Sequence, residues 1–144
     1  MMKSSAKISY FAYKNTPTKL MSDKVALSDA IATIAVNGAK EKKARSLVKI
    51  DLRNLDVAVS DFFIICHGDS NTQVKAIADS VEKELKESID EKPFSREGGE
   101  NGQWVVLDYL NVVVHIFLKE SREFYGLETL WGDGDLTQYP DHNQ

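Results

Sequence analysis

One cysteine and three prolines in 144 residues leave little to staple this chain or to interrupt it. Cys66 has no second thiol, which excludes an internal disulfide and any zinc site built from several cysteines. It stands inside the apolar run 62–66, where a thiol is expected to be buried as a small hydrophobe. No stretch approaches the roughly 20 apolar residues of a membrane helix, and the N-terminus lacks the continuous apolar segment of a signal peptide. A soluble, cytoplasmic protein with no membrane contact is therefore expected. Apolar residues make up 42% and charged residues 28%, which suits one packed core and is too apolar for a wholly disordered chain.

Acid is missing from the start of the chain. Residues 1–22 carry Lys3, Lys7, Lys14 and Lys19 but no Asp or Glu, and Pro17 interrupts any helix there. The remaining residues hold all 22 acids and 14 of the 18 Lys and Arg, a net of −8. A body this acidic repels phosphate, so little direct nucleic-acid binding is expected and a basic protein is the better partner. Residues 1–21 read as a flexible extension. Their basic, hydroxyl-rich composition also resembles an organelle transit peptide, but the Arg typical of those segments is absent.

From Ser22, a good N-cap, the residues Leu27, Ile31, Ile34 and Ala35 recur at helical spacing up to Glu41, with Gly38 weakening the last turns. Residues 47–52 read as a strand, and 62–67 as a central strand buried on both faces. Ser70 and Gln73 have capping-box spacing ahead of a helix whose inner face is Val74, Ile77, Ala78, Val81 and Leu85. Two apolar strands, 104–109 and 112–117, flank only Leu110 and Asn111, which predicts a β-hairpin with Tyr109 opposite Val112. Alternation then puts Val105, Leu107, Tyr109, Val112, Val114 and Ile116 on a core face, with Trp104, Val106, Asp108, Val113, His115 and Phe117 on the other. One or two short helices over 120–131 and a polar C-terminal tail over 133–144 complete the reading. The class is α/β, a mixed β-sheet flanked by helices, with one domain over residues 22–132.

Three segments, in order, resemble the RsfS/iojap family of ribosome silencing factors. They are 61–70 (DFFIICHGDS), 102–109 (GQWVVLDY) continuing into 112–117 (VVVHIF), and 122–131 (REFYGLETLW), the last being the most specific. The resemblance covers about residues 25–132. It implies a nucleotidyltransferase-like topology without the catalytic carboxylates, and a protein that binds ribosomal protein uL14 on the large subunit. Bound there it would hinder joining of the small subunit and repress translation when nutrients are scarce. The family usually has Gly where this chain has Leu110. Because a type I′ turn needs positive φ, either that turn type or the two-residue register must differ here.

A nucleotidyltransferase resemblance raises the alternative of a nucleotide-binding enzyme. Gly68-Asp69-Ser70 imitates the phosphate-holding turn of such enzymes, but no paired carboxylates follow on a strand: Asp79 lies in a helix and Asp108 stands alone. No catalytic residue, metal or cofactor is expected. Scattered His67, His115 and His142 predict no metal site. For binding uL14 the candidates are Trp104 as an aromatic anchor, Asp108 with Tyr109 meeting basic side chains, and Arg122 with Glu128 on the last helices. Tyr125, Leu127, Leu130 and Trp131 would seat those helices on the sheet. The competing readings make Trp104 core, or bury its face in a homodimer.

Overall fold

The computed structural model describes residues 18–56 and 58–141, so the expected extension lies outside it as far as residue 17. Helix α1 (Thr18–Glu41) starts four residues ahead of Ser22. Strands β1 (Arg45–Asp51) and β2 (Phe62–Gly68) follow, then α2 (Asn71–Ile89), β3 (Ser95–Glu97), β4 (Trp104–Asp108) and β5 (Val112–Leu118). Two short helices, α3 (Lys119–Tyr125) and α4 (Leu127–Leu130), lead to β6 (Asp135–Gln138). Among the described residues no helix is long and apolar enough to cross a membrane.

The six strands form one mixed sheet in the order β3-β4-β5-β2-β1-β6. β2 and β5 run parallel at its centre, and the other neighbours are antiparallel. Both central strands are apolar on each side because each side is covered. Helices α1 and α2 pack on Phe62, Ile64, Cys66, Val112, Val114 and Ile116. The opposite face, with Phe63, Ile65, Val113 and Phe117, has only α3, α4 and part of the 52–60 loop over it. Cys66 is buried on the helix side, where desolvation pushes its thiol up to about 12.

Local chemistry explains the junctions. Ser70 caps α2 by accepting the Gln73 N–H at 3.1 Å, while the Gln73 side chain reaches back to the Asp69 N–H at 2.8 Å and donates to the carbonyls of Lys42 and Lys43. The turn that imitated a phosphate cradle thus spends its donors on the cap. Gly38 does more than loosen α1. A Cβ there would lie 2.9 Å from Val81 Cα, so glycine lets α1 and α2 close, and the Ser80 hydroxyl donates to the Gly38 carbonyl at 2.6 Å.

The hairpin register holds, and the turn type is what differs. The Tyr109 N–H donates to Val112 O at 2.8 Å, and the Asn111 N–H to Tyr109 O at 2.9 Å, closing a γ-turn on Leu110 at φ 70°. Two side chains hold that unfavourable backbone: Asp108 accepts the Leu110 N–H at 2.8 Å, and the Ser60 hydroxyl donates to Leu110 O at 2.9 Å.

Two strands lie beyond the sequence reading. β3 is a three-residue polar edge, and β6 rises from the segment expected to be only a tail. That segment also docks beyond β6. The Tyr139 N–H donates to Leu47 O at 2.9 Å, the Tyr139 ring lies 4.9 Å from the Lys40 ammonium, and Asp141 accepts the Ser46 N–H at 2.7 Å.

Candidate partner-binding surface

At the end of β5 the chain turns through α3, breaks at Gly126 in the left-handed conformation, and continues as α4. This corner is held to the sheet by Arg122. Its guanidinium forks onto Glu128, with Nε–Oε1 at 2.8 Å and Nη2–Oε2 at 2.9 Å. The remaining nitrogen, Nη1, lies 3.0 Å from His67 Nδ1 and 3.3 Å from the Arg45 carbonyl. Arg122 is only 9% exposed, and a bidentate charge-assisted pair at this depth fixes orientation. Burial and then the Arg122 charge lower the His67 pKa, and a neutral ring is the one that can accept at Nδ1.

Leu127 and Trp131 seat the corner as expected, Leu127 within the open-face core and Trp131 packed against it. Tyr125 and Leu130 do not. They are 53% and 74% exposed, and Phe124 beside them is 82% exposed. Large apolar side chains left this open together mark a recognition surface more often than a stable solvent face. Trp104 forms its inner border, half-buried between Phe117 at 4.7 Å and Tyr125 at 4.5 Å, ring centre to ring centre. The indole Nε1–H donates to His115 Nδ1 at 3.2 Å.

The five residues singled out from the sequence scatter around this surface. Trp104 belongs to it, neither wholly core nor wholly free. Asp108 shares the Trp104 face but is 3% exposed, its carboxylate turned into the hairpin bend, and burial raises its pKa. Tyr109 is buried on the helix side, so Asp108 and Tyr109 point to opposite faces and neither lies at the surface. Arg122 and Glu128 pair with each other. On the far side of the corner, a cavity of about 620 Å³ is lined in part by Glu123, Glu128 and Asp141 together with Arg122 and His67, Glu128 being held by Arg122 and Asp141 by Arg45 and the Ser46 N–H. Phe124 and Leu130 were missed as surface residues because a short amphipathic segment does not say which apolar positions stay uncovered. Their crowding within eight residues, with Tyr125, Leu127 and Trp131, was the available signal.

The family model described as "Ribosomal silencing factor during starvation" matches residues 25–144. The chain belongs to this RsfS family. Its role is therefore ribosome silencing. It is 44% identical over 106 residues to the ribosomal silencing factor RsfS of Halalkalibacterium halodurans, covering 73% of this chain and 88% of that one. With the Bacillus subtilis RsfS the figures are 39% over 110 residues, 74% and 89%. A crystal structure of a Chromobacterium violaceum protein superposes with a TM-score of 0.69 at 34% identity, covering 81% of this chain and 92% of that one. The family match runs past residue 132, into the segment that forms β6.

Proposed function

We propose that this protein silences the large ribosomal subunit by binding uL14 through the α3–α4 corner, where it obstructs joining of the small subunit and so represses translation under nutrient limitation, acting in the cytoplasm and without catalysis. The observation that carries this reading is the cluster of Phe124, Tyr125 and Leu130 exposed on a corner that Arg122 holds rigid. Aromatic and aliphatic anchors on a fixed scaffold, bordered by polar groups, have the make-up of a binding hot spot. The overall excess of acid suits a basic ribosomal protein. Trp104 forms the floor of this surface, while the Arg122–Glu128 pair shapes it from beneath.

Sedimentation with purified large subunits, with and without uL14, tests the partner: co-sedimentation that needs uL14 is expected, and binding indifferent to uL14 overturns it. Phe124→Ala and Leu130→Ala should each weaken binding by about 2 kcal/mol, roughly thirtyfold, with melting temperature nearly unchanged because both side chains are largely exposed.

A further inference from the structure

The open face of β5 contains one polar side chain among apolar ones, and its placement is uneconomical for packing alone. His115 lies between Val113 and Phe117 along that face and is wholly buried. Trp104 can only donate, so the 3.2 Å contact makes His115 Nδ1 an acceptor and leaves the ring proton on Nε2. Among the described residues that Nε2 has no hydrogen-bond partner. A buried donor left unmatched costs stability, and a valine like Val113 would avoid the cost. What a valine would lose is the acceptor for Trp104.

We infer that His115 is a positioning residue of the recognition surface: it holds the Trp104 indole by its edge and thereby sets the ring face on which Tyr125 rests. This rests on the corner being the uL14 surface. The indole lies between Phe117, 27° from parallel, and Tyr125, 43° from parallel, and such stacking alone accepts the ring turned either way. The hydrogen bond removes that ambiguity. Tyr125 in turn meets Phe124 edge to face at 5.1 Å, so the orientation chosen at His115 reaches the most exposed ring of the surface. The opposite edge of the assembly is closed by Phe63, which lies 4.8 Å from the imidazole and 5.6 Å from Trp131, both nearly perpendicular.

The test uses the full chain with His115→Leu, His115→Asn and Trp104→Phe, singly and with each His115 change combined with Trp104→Phe. Asparagine sets its oxygen near the place of Nδ1 and keeps the acceptor, whereas leucine removes it. Titration of purified uL14 should show affinity reduced about tenfold by His115→Leu, nearly restored in His115→Asn, and unaffected by His115→Leu once Trp104→Phe has removed the donor. Wild-type affinity in a folded His115→Leu protein overturns the inference, as does an equal loss in the Trp104→Phe background. If His115→Leu fails to fold, Trp104→Phe alone decides, since it keeps a ring and deletes the hydrogen bond: the same loss supports the inference and unchanged affinity overturns it. The Trp104 indole N–H resonance provides an arm that needs no partner. Protection from exchange should survive His115→Asn and vanish in His115→Leu. If uL14 fails to bind the wild-type chain, the proposed partner is wrong, and an indole resonance unchanged in His115→Leu would separately refute the positioning.

Discussion

Leu110 occupies a backbone conformation that L residues seldom adopt, at φ 70°, and is kept there by Asp108 and Ser60. Glycine tolerates such a φ without the Cβ conflict, so Leu110→Gly should raise the unfolding free energy by about 1 kcal/mol, measured by denaturant titration. His115 gives the second prediction at this scale. Burial drives its pKa from 6.5 down to about 3, so the fold contains neutral imidazole while the unfolded chain takes up a proton below pH 6.5. Stability from this group is full above pH 6.5 and is lost as pH falls toward 3. At about 1.4 kcal/mol per pH unit, the loss at pH 4.5 is roughly 3 kcal/mol. Unfolding curves at pH 7 and pH 4.5 should show that difference in the wild type and a much smaller one in His115→Asn. His67 adds to the trend with the same sign, its pKa also being lowered.

Among the elements, the α1–α2 pair carries the clearest conflict between local preference and packing. Helix propensity favours Gly38→Ala by up to about 1 kcal/mol. The space available opposes it, because the added methyl would stand 2.9 Å from Val81 Cα, backbone that can yield only by parting the helices. Overpacking of this kind costs about 1 to 3 kcal/mol, so Gly38→Ala should lower the melting temperature despite its better propensity, as thermal circular dichroism would record. The α3–α4 corner depends less on propensity, since helices this short do not persist alone. Its shape comes from Leu127 and Trp131 beneath and from the Arg122 fork across it.

For the whole molecule, charge governs how partners meet. The chain carries a net −4 with every acid placed after residue 22, and a basic partner would be drawn to it from a distance. Raising ionic strength from about 0.01 M to about 1 M shortens the screening length from roughly 30 Å to roughly 3 Å, so association with uL14 should slow steeply. Dissociation, governed by the apolar anchors, should change little; surface plasmon resonance separates the two rates.

Legibility in the sequence followed burial. The runs at 62–66 and 112–117 and the face from Val74 to Leu85 announced themselves because nearly every inward position is apolar, His115 and Ser80 being the buried polar exceptions. β3 and β6 did not, being short polar edges, β3 only three residues long and β6 paired with β1 far back in the chain. Trp104 could be chosen from its strand face, but whether Tyr125 and Leu130 lie under or over the corner depends on the Gly126 bend, which no periodicity encodes.

The burial of Cys66 has a practical corollary. With its sulfur sealed beneath α1 and α2 and its ionisation suppressed, the native protein is blank to maleimides and similar reagents. A cysteine introduced at Lys119, beside the corner, would then be the one reactive thiol among the described residues, and a dye attached there would report docking without any need to remove the natural residue.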